Sequence, residues 1–192
     1  MVERDATGRR PRRPPRPLDE TRLRDLALAY VARFATSRGK LRAYLARKLR
    51  ERGWEGDVPR DIEALVMRFD EQGFVDDRVY GQAKADGLLA RGYGARRVEQ
   101  ALWAAGLEEE LRGELAPEER ETRTAALAYA RRRRFGPFGD HDDADPAAGM
   151  RRREKQLAAM VRAGHDFITA RRLVEATDKE ELERWSAGEE TD

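Results

Sequence analysis

Few of the 192 side chains stand in a pattern that could carry out a reaction. Asp76 and Asp77 are adjacent carboxylates, and paired carboxylates do acid–base work when a cleft raises the pKa of one of them. These two precede an apolar-periodic stretch, where aspartate serves as helix cap and as partner to the positive helix end. Capping is therefore the reading the pattern favours. Asp140, His141, Asp142, Asp143 and Asp145 gather carboxylates around one imidazole. The glycine and closing glutamate of a calcium loop are missing, and a single imidazole makes a poor zinc set. An acidic loop without metal is expected. His165 follows Gly164 at a position that is aromatic or aliphatic in the similar segments upstream, so packing is its expected role. With two histidines, no cysteine and neither a phosphate-binding loop nor a nucleophile–base pair, hydrolytic schemes lack parts. The expectation is a protein that is not an enzyme and carries no cofactor.

The residues that could do work are the cations. Charged residues make up 40% of the chain, against about 25% in ordinary globular proteins. The net charge of +2 hides their segregation. Residues 9–16 are arginine and proline only, and between Arg33 and Arg52 eight lysines or arginines face one acid, Glu51. Arg38, Lys40, Arg42, Arg47, Lys48, Arg50 and Arg52 would leave one helix basic over most of its exposed surface. Arg96 and Arg97 form a smaller pair, and Arg131, Arg132, Arg133 and Arg134 an unbroken run. Helix-dipole stabilisation explains four cations in one last turn poorly, because they repel each other. Acids gather at Glu108–Glu110, Asp140–Asp145 and Asp178–Asp192. Such separation points to a polyanionic or mixed-charge partner. Trp54 and Trp103 could stack on bases, although packing is the expected role for both.

The elements that must hold these cations are helices. Leu23, Leu26, Ala27, Tyr30, Val31 and Phe34 recur at helical spacing. Ser37 can cap a second helix bearing Leu41, Tyr44, Leu45, Ala46 and Leu49, which Gly53 stops. Asp57 with Pro59 can start a third, with Ile62, Leu65, Val66 and Phe69, ending at Gly73. The pattern returns with Val79, Tyr80, Ala83 and Leu88 up to Gly92, then Val98, Ala101, Leu102 and Ala105 up to Gly106, and a short acidic piece from Leu107 to Leu115. It returns once more with Ala125, Ala126, Tyr129 and Phe135, then Leu157, Met160 and Val161, then Phe167, Ile168, Leu173 and Val174. Ala27-Leu28-Ala29-Tyr30 recurs as Ala126-Leu127-Ala128-Tyr129, and Gly53, Gly106 and Gly164 align as helix ends. No segment alternates with the period of a strand. The fold expected is all-α, an elongated array of three tandem three-helix repeats of helix-turn-helix-like form. Its parts are a disordered Arg/Pro-rich arm (1–18), repeat 1 (19–74), repeat 2 (75–116), repeat 3 (117–176) with an acidic loop insertion at about 136–149, and an acidic C-terminal tail (177–192). In the tail Thr177–Glu180 resembles a capping box for a short helix with Leu182. No apolar run reaches the ~18–20 residues that span a bilayer, and the N-terminus lacks the apolar core of a signal peptide. A cytoplasmic location is expected.

The segment Gly73-Phe74-Val75-Asp76-Asp77-Arg78-Val79-Tyr80 resembles the glycine–aromatic–aliphatic–Asp–Asp segment of the bacterial regulatory protein RecX family. Ser37 to Gly53 is similar to that family's Ser…Leu…Lys-Leu…Gly helix. Gly94 to Leu107, with Arg97-Val98, Ala101-Leu102 and Ala105-Gly106-Leu107, is similar to its counterpart in the second unit. The likeness runs over roughly residues 24–176. The stretch from Phe135 to Met150, the Arg/Pro arm and the acidic tail depart from it. The resemblance implies a modulator, usually an inhibitor, of the RecA recombinase in recombination, DNA repair and the SOS response. It implies a partner, the RecA nucleoprotein filament, in whose groove such proteins bind and limit strand exchange, ATPase and co-protease activity. Single- or double-stranded DNA is expected as a weaker, non-specific partner, with no membrane, and the protein as a monomer. The alternatives are a sequence-indifferent DNA-binding protein that acts indirectly, and a helical protein–protein scaffold.

Overall fold

A computed structural model describes residues 16–56, 61–139 and 145–189. The described chain is all-α, with one isolated β-bridge between Leu18 and Trp54 and no strand among the described residues. It divides into two compact units, one holding the residues up to Ala35 together with Lys40–Val75, the other Thr36–Gly39 together with the chain from Asp76 onward.

The first unit is built on helices α1 (Glu20–Arg33), α2 (Arg38–Arg52, from Lys40 on) and α3 (Ile62–Glu71). Asp19 accepts the Arg22 amide at the start of α1, and Asp61 accepts that of Ala64 at the start of α3. The expected start of α3 at Asp57 and Pro59 lies outside the described residues, and Asp61 is the cap. Leu23, Ala27, Leu41, Leu45, Leu65, Val66 and Phe69 fill the core, with Tyr30 and Tyr44 stacked at 4.2 Å beside them. Each buried leucine or valine contributes ~1.5–3 kcal/mol over its exposed state. Two residues depart from expectation. Phe34 is 51% exposed, because α1 ends at Arg33 and an extended Phe34 no longer follows the helical stripe. Leu18, assigned to the arm, is fully buried: its amide donates to the Gly53 carbonyl at 2.9 Å, and its carbonyl accepts from Glu55.

The second unit carries α4 (Asp77–Leu89), α5 (Ala95–Trp103) and α6 (Glu109–Glu114) around Ala85, Leu88, Val98, Leu102, Ala105, Leu107 and Leu115. It continues with α7 (Glu119–Arg133), a short 3-10 turn (Gly136–Phe138), α8 (Pro146–Arg162), α9 (Phe167–Glu175) and α10 (Lys179–Ala187) around a second cluster centred on Ala126, Ala130, Met160, Ala170 and Leu173. The buried stripe of α4 is Asp77, Gly81, Ala85 and Leu88, so Val79 (64% exposed) and Ala83 face solvent, against expectation. Gly81 makes the difference: a methyl there would run into Leu115 and Leu107, so the helix packs by a residue that apolar periodicity does not count. Phe167 and Ile168 also point outward. Ile168 shares the solvated face with Arg171, Arg172 and Glu175, and Phe167 lies one turn ahead of the buried stripe.

Residues 177–189, expected as part of an acidic tail, carry a packed helix. Asp178 caps α10 through the Glu180 amide, and α10 buries Leu182 and Trp185 in the α7–α9 cluster. The guanidinium groups of Arg123 and Arg172 lie over the Trp185 ring, 5.3 and 5.1 Å from its centroid. Trp103, expected to pack, is 69% exposed at the end of α5, one position past the buried Leu102.

Two close approaches of backbone within the second unit depend on glycine. The Gly94 amide donates to the Ala163 carbonyl at 3.0 Å and the Arg96 amide to the Gly164 carbonyl at 3.1 Å. Gly164 itself sits at φ +96, a conformation that side chains disfavour. At the other approach Gly39 lies against Ala105 and Gly106, where an added methyl would stand 2.7 Å from the Ala105 carbonyl oxygen. The Ser37 hydroxyl donates to that same carbonyl. Each time the start of one helix meets the glycine that closes another.

Candidate partner-binding surface

Most cations of α2 are held by the fold. The Arg38 amide donates to Asp77 Oδ1 at 2.7 Å and its Nε to Oδ2 at 3.1 Å, with Glu108 3.3 Å from the guanidinium. Asp77 is 5% exposed and Arg38 22%, so this pair is a strut with its carboxylate buried and its cation half-buried. The two aspartates therefore divide their work: Asp76 caps α4 through the Val79 amide, while Asp77 receives the first amide of α2. Arg42 grips Glu63 through two hydrogen bonds of 2.6 and 2.5 Å. Lys48 donates to Glu51 at 2.6 Å and Arg47 lies 3.9 Å from it. The Lys48 hydrogen bond holds the Glu51 carboxyl below its ordinary pKa. Arg52 donates to the Arg16 carbonyl at 3.0 Å. Lys40 is half-buried, and Arg50 is exposed with no carboxylate at ion-pair distance among the described residues.

On α5, Arg96 and Arg97 are exposed and unpaired among the described residues. Arg96, Gln100 and Trp103 fall at i, i+4 and i+7, which sets a cation, an amide and an exposed indole on one helical face. Of the arginine run, Arg131 pairs with Glu183 and lies 5.6 Å from the Phe138 ring centre. Arg132 lies over Tyr129 at 5.5 Å and Arg133 over Phe135 at 5.8 Å. Arg134 closes α7 in a left-handed conformation, φ 54 and ψ 48. The run is thus fanned out by aromatic rings, and its four cations do not share one face.

One cationic grouping has no counterpart in the sequence expectations. Arg133 joins Arg151, Arg152, Lys155 and Arg162 of α8 around a hollow of about 680 Å³. Phe135, Ala148, Gln156 and Ala159 complete the wall. Arg151, Lys155, Ala159 and Arg162 stand at i, i+4, i+8 and i+11, so the spacing was available as a signal.

The remaining titratable candidates are structural. His165 is 2% exposed, with Nε2 3.1 Å from the Gly92 carbonyl oxygen and its ring 5.7 Å from that of Tyr129. Burial pushes its pKa below the ordinary imidazole value, against the opposing pull of Gly92 and Asp166. Of the Asp140–Asp145 loop, residues 140–144 lie outside the described residues; Asp145 caps α8 through the Ala147 amide. Among the described residues no group of three or more histidines and carboxylates is placed to hold a metal, and no helix is long and apolar enough to cross a membrane.

No family model matches the chain. A curated protein named regulatory protein RecX, from Myxococcus xanthus, is 31% identical over 176 residues, covering 88% of this chain and 91% of its own length. Proteins of the same name from two strains of Thermus thermophilus are each 39% identical over 108 residues, covering 56% of this chain and 71% of their own lengths.

Proposed function

We propose, on the premise that this chain belongs to the RecX family of regulatory proteins, that it regulates the RecA recombinase by binding in the groove of the RecA–DNA filament. There it lowers the ATPase, strand-exchange and co-protease activities in the cytoplasm, acts as a monomer, and touches DNA more weakly and without sequence preference. The helices are read as three repeats, 19–74, 75–116 and 117–176. Repeated units suit a partner that is itself a lattice, because several weak contacts on successive protomers add to useful avidity.

The observation that supports the reading most directly is the solvent face of α5. Arg96, unpaired among the described residues, shares it with the exposed Trp103, and Arg97 stands beside them. Charged residues and an indole left in solvent are costly to no fold but useful to an interface, where arginine and tryptophan dominate binding energies. Of the exposed arginines of α2, Arg42 and Arg47 already have carboxylate partners, so Arg50 joins Arg96 and Arg97 as the better probe.

The test is RecA ATP hydrolysis on single-stranded DNA, titrated with this protein below one copy per recombinase. Wild type is expected to suppress turnover at concentrations that leave naked DNA uncoated. A variant combining Arg50→Glu, Arg96→Glu and Arg97→Glu is expected to lose that suppression while keeping its helical signal. Suppression only where naked DNA is saturated would favour a DNA-binding protein that acts indirectly. Full potency in the triple variant would remove α5 from the interface.

A further inference from the structure

We propose that the hollow between the end of α7 and helix α8 is a binding groove for the phosphate backbone of single-stranded DNA. This rests on the reading above for the choice of DNA as the polyanion; the anionic character of the ligand comes from the groove itself. Five cations line it, and no carboxylate does among the described residues. Lys155 and Arg162 have no ion-pair partner among the described residues, and Arg151 has only Asp145, 3.7 Å away. That is the reverse of α2, where Asp77, Glu63 and Glu51 take up the charge. Cations outnumber carboxylates along this wall, and the resulting field concentrates an external anion.

The shape selects a strand rather than a small anion. From Arg151 to Arg162 helix α8 rises about 16 Å, whereas a nucleic-acid strand carries a phosphate every ~3.4 Å in a duplex and further apart when extended. A run of that length meets several phosphates at once. Arg133 joins the cations of α8 from the end of α7, over the Phe135 ring, so the cations come from two elements. Ala148 and Ala159 contribute small apolar side chains to the wall, against which sugars can lie. A flexible single strand can follow a concave path of this kind; a duplex, whose phosphates sit on a stiff convex cylinder, reaches only its rim.

The experiment is fluorescence anisotropy of a labelled oligothymidylate with the full chain over a range of salt concentrations. Lys155 and Arg162 lie on the groove wall outside the buried core, so Lys155→Ala with Arg162→Ala should not lower the thermal unfolding midpoint. The double variant is expected to bind at least tenfold more weakly. Its plot of log affinity against log salt should be shallower by about 1.4, or ~0.7 for each lost phosphate contact. Arg24→Ala with Arg68→Ala removes equal charge elsewhere and is expected to bind within twofold of wild type. An unchanged affinity and slope in the groove variant would overturn the proposal, and so would an equal loss in the control or equal binding of a duplex of the same length. Recombinase ATPase run in parallel separates the two readings. Lost strand binding with intact inhibition upholds the groove and places regulation elsewhere, whereas lost inhibition with intact strand binding sinks the groove alone.

Discussion

Replacing Gly94 by alanine tests the joint between α5 and α8 with a single methyl group. Gly94 has an ordinary φ of −83, so alanine there carries no backbone strain of its own. The added Cβ would overlap the carbonyl group of Gly164 and stand 2.5 Å from the His165 nitrogen. Those are backbone atoms, which cannot swing away as the end of a side chain would. Overpacking of this sort costs ~1–3 kcal/mol. Separating the surfaces also strains the two hydrogen bonds from Gly94 and Arg96 into Ala163 and Gly164, which contribute ~0.5–1.5 kcal/mol each. A loss of about 3 kcal/mol is expected, and at ~2–4 °C per kcal/mol for a chain of this size the melting temperature should fall by about 6–12 °C. Gly113→Ala is the internal control: nothing lies within 4 Å of its added Cβ, and removing a helical glycine should stabilise by ~0.5–1 kcal/mol. Thermal unfolding followed by circular dichroism reads both. A Gly94→Ala midpoint within a degree of wild type would refute the steric argument.

Other expectations follow from the same structure. Asp77→Ala removes the buried carboxylate that receives both the amide and the Nε of Arg38 and should cost about 3 kcal/mol, whereas Asp76→Ala loses only a cap, about 1 kcal/mol; urea unfolding should rank them in that order. His165 is held neutral by burial, so its pKa in the folded state lies below 6.5 and the unfolded chain binds the extra proton between the two values. Stability should therefore fall as the pH drops below about 6.5, and the unfolding free energy of His165→Gln should lose that slope. Trp185→Ala should cost ~3–5 kcal/mol, and deleting residues 177–192 should expose the α7–α9 cluster to hydrophobic dyes, as removal of a free tail would not. Ile168→Asp, at an 80% exposed site, should stay within ~0.5 kcal/mol of wild type.

The helices were legible because their punctuation is local. Asp76 sits one residue before its helix and accepts an amide three residues on, and Gly53, Gly73, Gly106 and Gly164 all take the left-handed conformation that closes a helix. What escaped is set by residues distant in sequence. Asp77 stands next to a cap, and nothing local says that its carboxylate belongs to Arg38, 39 positions earlier. Trp185 sits among acids, yet it is drawn into a core whose need for a large ring is fixed by α7 and α9. Gly81 reads as a break in an apolar stripe until the leucines pressing on it are seen. The cationic surface was half legible. Its composition was plain, but which arginines have carboxylate partners depends on the positions of Glu63, Glu51 and Glu183, and the α8 groove on where the α7 end turns.

The joint that Gly94 and Arg96 make with Ala163 and Gly164 also bears on cooperativity. Its hydrogen bonds run from main chain to main chain, so it survives almost any exchange of side chains that spares the glycines. A set of three short helices holding one shallow cluster is marginal by itself, since a small body buries only a modest share of its surface. Joined at this point, the α4–α6 and α7–α10 clusters cannot open one after the other at leisure. Opening the end of α8 deprives two amides at the start of α5 of their acceptors, and each half raises the free energy of fraying in the other. The second unit should therefore unfold in a single transition, with amide exchange limited by the opening of both halves together.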